Sequence, residues 1–394
     1  MQTSHGYLTA EVDAPQSALF SLVMRTGLLT VGTLGLYSFW MRTRTRRWLW
    51  SSLKMGGSPF EYDGRPVEKL IGFVMAAVIV SVWLGLVMMG LVWLSLVVFL
   101  QPAPGFFAAL ALVLPIYWFA QYRGMRYLMG HTTWRGIRFW MVPGALGYIG
   151  LSLVWSLAIV LSAGLAIPAA ARARWAYRIR RMRWGDATFT FEAGLGGLYR
   201  AFLPVIGLVL SSVAIIAYVS IVGERAMGHL LWLLLTLPGL AFAWIWWRVR
   251  SFGIFVSGVR LGEVRIEASP NVGTVLGIYL LGLLFIGFIL GAIIVAFAMA
   301  SVGAVIADLE DLFEGWDDVS PWVYGVGVIL FYLLVFILRG ALRLVFVTYP
   351  LLRHVAETAT IRRGHDLYGV GAGQGARMAD ADGFSNLFDM GAGI

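Results

Sequence analysis

The chain has 394 residues, of which 59% are hydrophobic and 13% charged, with a mean hydropathy of +0.80 and a formal net charge of +9. That is far too apolar for a soluble globular domain, and the absence of cysteine removes disulfides and thiolate metal sites. The positive balance points to membrane topology and not to nucleic acid, because the arginines cluster at the ends of apolar runs and Lys54 and Lys69 are the only lysines.

The first residues, MQTSHGYLTAEVDAPQ, carry neither a basic n-region nor a small-residue cleavage site, so they do not read as a signal peptide. Residues 15–41 form an apolar segment broken by Arg25-Thr26-Gly27, followed by a basic run at 42–47 and a strand-like stretch at 59–63. Residues 70–100 exceed the roughly 20 apolar residues a helix needs to cross a bilayer, and they stop at the breaker-rich QPAPG of 101–105. Residues 106–120 return to Arg123, Arg126 and the strand-like TTWRGIRF of 132–139. The pattern then recurs: an apolar segment at 142–169, the densest basic run ARARWAYRIRRMRWG, and the alternating DATFTFE. An outgoing run at 198–222 and a returning one at 230–247 lead to VRLGEVRIEA, a strand or a hairpin with Gly262 at its turn. Residues 272–306 cross once more, and 322–349 return from an acidic loop at 308–318.

A shift of 129 residues superposes Gly35 on Gly164, Trp48 on Tyr177, Gly56 on Gly185 and Phe60 on Phe189, so residues 1–140 and 141–268 read as two related membrane repeats. A transmembrane hairpin at 269–364 and a disordered Gly-rich tail at 365–394 complete the organisation. If 15–41 and 142–169 each cross once, the repeats face opposite ways, which places Arg172–Arg183 and the acidic loop on the wrong sides for the charge rule. If each is a re-entrant hairpin, with Arg25-Thr26-Gly27 at the first tip, every arginine cluster falls on one face. The second reading is favoured. The sequence therefore predicts an all-α polytopic membrane protein with about six full transmembrane helices, two short re-entrant hairpins and a small cytoplasmic β-sheet of short strands.

TLGLYSFWMRTRTRRW, FEYDG, TTWRGIRF, the Gly164-Leu165-x-x-Pro168 segment, GDATFTF and the terminal ADADGFSNLFDMG together resemble the YjgN family of bacterial inner-membrane proteins over most of the chain. Phe39 departs from the proline usual in that family's first stretch. The resemblance implies a bacterial cytoplasmic (inner) membrane location, a domain of uncharacterised function and, as a partner, a membrane-associated zinc peptidase. It supplies no functional residue.

Catalytic signatures are missing: the five histidines lack metal-ligand spacing, and neither HExxH, a P-loop nor GxSxG occurs, so the reading is of a non-enzyme without cofactor or metal. The sharpest signal is charge within the membrane. Arg339 falls mid-span, at a cost of about 2.5–3.5 kcal/mol on translocon scales, and no carboxylate lies in any apolar run to pair with it. With Arg343 and Arg25 it forms a candidate anion-binding set, against the plainer reading of arginines that snorkel. Phe313 and Trp316 in the acidic loop, and Phe384 and Phe388 in the tail, are candidate partner-docking residues, against solvated loop and free tail. Gly287-x-x-x-Gly291 reads as a helix-packing face. Two functional classes follow: transport or handling of a small anionic solute or lipid, or a non-catalytic scaffold or regulator of a partner protein. Membrane lipids are the expected partners in both.

Overall fold

The computed structural model describes residues 7–223, 228–229, 231–311 and 321–371. Strand β1 (Tyr7–Val12) opens the chain, and helices α1 (Gln16–Gly32) and α2 (Ser38–Ser52) lead to the hairpin β2 (Leu53–Met55) and β3 (Ser58–Tyr62). Helix α3 (Pro66–Phe99), the pair α4 (Ala103–Ala111) and α5 (Val113–Gly130), and the hairpin β4 (Thr132–Trp134) and β5 (Ile137–Met141) follow. Helices α6 (Ala145–Leu161) and α7 (Ile167–Ile179) reach the hairpin β6 (Met182–Trp184) and β7 (Ala187–Phe191). Helices α8 (Leu195–Val222) and α9 (Leu231–Ser257) reach β8 (Val259–Leu261) and β9 (Val264–Ala268). Helices α10 (Val272–Asp311), α11 (Pro321–Arg343) and α12 (Tyr349–Glu357) end at β10 (Ala359–Arg362).

These strands overturn the expectation of an all-α protein with only a small sheet: all ten close one antiparallel barrel in the order β1-β10-β9-β8-β7-β6-β5-β4-β3-β2. Isolated three- to five-residue strands cannot satisfy their backbone groups, and closure removes every edge. Each hairpin joins a three-residue strand to a five-residue strand through two residues, and positive φ at Gly56-Gly57 and Arg135-Gly136 gives the primed turns that match strand twist. Alternation points one side chain of each pair inward. Phe60 lies opposite Trp134, Phe139 opposite Trp184, and Phe189 opposite Leu261. Their rings stack around the interior, Trp134 to Trp184 at 4.9 Å and Phe60 to Trp134 at 5.9 Å. Trp134 Nε1 donates to Ser58 O and Trp184 Nε1 to Ile137 O, tying each hairpin to the one before it. Leu367, on the short 3-10 turn after β10, joins the same core. The barrel is filled and is not a conduit.

Every two-residue turn lies at one end of the barrel, so every helical segment leaves and re-enters at the other. Each segment also joins strands that are hydrogen-bonded neighbours: β3 to β4, β5 to β6, β7 to β8, β9 to β10 and β1 to β2. An odd number of crossings would place paired strands on opposite faces of a membrane, so every segment crosses an even number of times. Repeats that face opposite ways are thereby excluded. Six stretches are long and apolar enough to span: Pro66–Phe99, Ala103–Gly130, Leu195–Val222, Leu231–Ser257, Val272–Ser301 and Gly325–Glu357. They form three out-and-back pairs, which makes this a multi-pass membrane protein.

The chain divides into two compact units, one holding the barrel and residues 50–272, the other residues 13–49 and 273–354. In the barrel unit, α6 and α7 are 17 and 13 residues long, about 25 and 20 Å against roughly 30 Å of hydrocarbon. In the other unit, α1 and α2 are of similar length. The tip of this pair is not Arg25-Thr26-Gly27, which lies inside α1 with Thr26 Oγ1 bonded to Leu22 O. It is Leu34-Gly35, at φ 52° and 94°, matched by Ala163-Gly164 at 48° and 92°. Gly35 N donates to Thr30 O and Gly164 N to Ile159 O, while the hydroxyls of Thr33 and Ser162 accept from the backbone N–H of Tyr37 and Ala166. A Cβ at Gly287 or Gly291 would meet none of the described residues within 4 Å; a close helix approach in that unit is at Gly282, where a Cβ would sit 2.7 Å from Val347 Cγ2 and 2.9 Å from Phe346 O.

Candidate functional site

The arginines singled out from the sequence are all exposed. Arg25 lies on α1, Arg339 and Arg343 on α11, and none makes a hydrogen bond or ion pair with another described residue. Gly27 abuts Ile337 and Gln16 Nε2 donates to Val345 O, so α1 and α11 run antiparallel with Arg25 and Arg339 at one level. The helix of Arg339 continues through a π-helical turn at Leu344–Thr348 to Glu357, which places it deeper than the sequence alone suggested, fourteen residues after Gly325 and eighteen before Glu357. None of these side chains lines either of the two cavities described below. Phe313, Trp316, Phe384 and Phe388 lie outside the described residues.

A cavity of about 630 Å³ lies elsewhere, in the barrel unit, where β7 runs into α8 and α9 runs into β8. Its volume is in the range of small-ligand pockets, about 300–1,000 Å³. Its lining combines apolar residues, Ala201, Trp246, Val249, Ile254 and Pro270, with the polar Arg200, Arg250, Ser257 and Ser269. Arg250 sits 5.0 Å over the Trp246 ring. Neither Arg200 nor Arg250 has a carboxylate or hydrogen-bond partner among the described residues. The one lining carboxylate, Glu192, is already taken by Arg260 at 2.8 Å. The floor is the start of α8, where Gly194 caps the helix without a side-chain hydrogen bond and leaves the first backbone N–H groups open. Two unneutralised guanidinium groups, free N–H donors and apolar lining residues accept an anion with a hydrophobic body.

Four of the residues around the cavity are glycine. Gly194, Gly197, Gly253 and Gly258 line it. The offsets that superpose the strands, 129 residues for β3 on β7 and 127 for β4 on β8, place Arg65, Glu68, Arg126 and His131 at the same positions in the preceding element set. Arg123 over Phe119 at 5.6 Å matches Arg250 over Trp246, so the cation–π pair recurs while the space beside it does not share its lining. Gly258 must be glycine: a Cβ there would lie 2.8 Å from Ala193 N. Sequence reading passed over this site because its signal is a loss of side chains, visible only when one set of elements is laid on the other.

Ten-stranded closure, three long helical pairs and a basic amphiphilic cleft define a polytopic membrane protein with a barrel domain. Residues 13–309 match the model of a family described as "Bacterial protein of unknown function (DUF898)", and the chain belongs to that family. It is the family to which the YjgN resemblance pointed. No curated protein and no solved structure matches the chain.

Proposed function

We propose that the protein sits in the bacterial cytoplasmic membrane with its barrel on the cytoplasmic side and holds an anionic lipid in the Arg200–Arg250 cavity. The orientation rests on charge: the basic runs at 42–47, 172–183 and 248–250 all fall on helices that run on in sequence into barrel strands, and basic flanks stay cytoplasmic. In that orientation the cavity lies at the headgroup level of the inner leaflet, with the guanidinium groups toward phosphate and Trp246 and Val249 toward the first acyl carbons. The similar turns at Gly35 and Gly164 and the strand offsets support a duplicated origin in which the second copy became the binding one. The observation that carries the reading is the pair of arginines left without a counter-ion beside apolar lining residues. Because the barrel is packed solid, lipid handling or retention is favoured over passage of a solute through it.

The test is titration of the purified protein in neutral detergent with short-chain phosphatidic acid, short-chain phosphatidylcholine and inorganic phosphate, followed by thermal stability and Trp fluorescence. Saturable stabilisation by phosphatidic acid alone, reduced at least tenfold in affinity by Arg250→Ala, supports a lipid site. Equal response to inorganic phosphate identifies a solute site. No saturable response, or one unchanged by Arg250→Ala, removes the reading and leaves a scaffold role.

A further inference from the structure

A second cavity of about 470 Å³ shares Ser257, Ala268 and Ser269 with the first and continues it down the outer wall of the barrel. There, three arginines stand side by side across neighbouring strands: Arg260 pairs in register with Arg265, and Arg265 with Arg362. Like charges directly opposite one another on a sheet face are destabilising. The outer two are neutralised, Arg260 by Glu192 at 2.8 Å and Arg362 by Glu267 at 2.9 Å. Arg265, between them, has no carboxylate or hydrogen-bond partner among the described residues and lines the second cavity with Arg260, Thr358, Thr360 and Glu267, whose carboxylate is held by Arg362. The corresponding positions of the other three hairpins hold Lys54 opposite Pro59, Thr133 opposite Arg138 and Arg183 opposite Thr188. Only this hairpin stacks arginines, and it does so where the groove continues.

Resting on the lipid reading above, we infer that the ligand is an amphiphile bearing two phosphate groups. The first is held by Arg200 and Arg250, and the second lies over Arg265 with the Thr360 hydroxyl donating to its oxygens, the Thr358 hydroxyl being engaged with Val355 O. A single central guanidinium between two satisfied ion pairs supplies a charge-assisted, geometrically fixed site for one further anion. The groove along Ser257 and Ser269 gives that anion a polar path from the first site.

Matched probes separate this from the parent reading. Farnesyl phosphate against farnesyl diphosphate, and phosphatidylglycerol against cardiolipin, are titrated into the full chain in neutral detergent, for wild type, Arg265→Gln and Arg250→Ala. The inference expects at least one two-phosphate probe to bind about tenfold tighter than its one-phosphate match in wild type. Arg265→Gln should erase that preference while leaving one-phosphate binding unchanged, and Arg250→Ala should weaken both members of the pair. Equal binding of the matched probes in wild type, or a preference that survives Arg265→Gln, overturns the inference while the lipid site stands. No binding by any probe overturns both. Arg265 is exposed, so its replacement leaves the barrel core intact.

Discussion

At the scale of single residues, the account turns on glycines. Gly197 stands in the first turn of α8, and a Cβ there meets the Ile254 side chain at an ordinary 3.4 Å. Gly197→Leu is therefore expected to fill the cavity and abolish lipid binding with a melting temperature at or above that of wild type, since leucine is the better helix former by close to 1 kcal/mol. Gly258→Ala is expected to do the opposite. Its Cβ would press on the Ala193 backbone, and the chain should lose about 1–3 kcal/mol of stability, read from thermal unfolding in detergent. The sequence showed these glycines and the arginines of 248–250, but it could not show that Glu192 is spoken for by Arg260 or that Arg200 is not. Counter-ion assignment depends on which strands are neighbours.

At the scale of elements, the helices and one hairpin turn, at Gly262, were legible and the barrel was not. Apolar runs of 27 to 34 residues announce themselves by length alone, and VRLGEVRIEA carries its own turn glycine. Three-residue strands that follow directly on a helix are too short to alternate, and β1 and β10, which close the barrel, lie at opposite ends of the chain. Closure is a property of pairing over distance. The same blindness misplaced the tip of the short helical pair, where Arg25-Thr26-Gly27 looked like a break because arginine and glycine interrupt an apolar run. The structure shows that a helix absorbs both, with the real reversal at the positive-φ pair Leu34-Gly35. Gly35→Ala and Gly164→Ala should each cost roughly 1–2 kcal/mol, the penalty of a left-handed conformation for an L-residue. Trp184→Ala, which empties the centre of the barrel at a residue 1% exposed, should cost about 3–5 kcal/mol. Thermal unfolding of the three variants side by side checks that order.

For the whole molecule, one barrel fixes the topology. With no native cysteine, single cysteines report it directly. Cysteines replacing Gly57, Asp186 and Glu263, at the barrel turns, are expected to react with a membrane-impermeant maleimide only from the cytoplasmic side, and one replacing Gln101 only from the other. Cysteines replacing Leu36 and Leu165, just past the tips of the two short pairs, should be shielded from both sides, because those arms are shorter than the hydrocarbon is thick. Labelling of Leu36 or Leu165 from the outer side would mean that the short pairs cross fully. The charge rule and the internal offsets were sufficient to favour this topology from sequence; the pairing of β5 with β6 and of β1 with β2 requires only that each short pair return to the side it left.

The central claim is that the arginine–tryptophan cleft holds an anionic lipid in the native membrane. It is tested most directly by native mass spectrometry of protein released gently from that membrane, comparing wild type, the Arg200→Ala/Arg250→Ala double variant and Arg339→Leu. One anionic lipid retained by wild type and by Arg339→Leu, and lost from the double variant, is the expected result. Retention of that lipid by the double variant, or its loss from Arg339→Leu alone, would contradict the account and move the site to the α1–α11 pair.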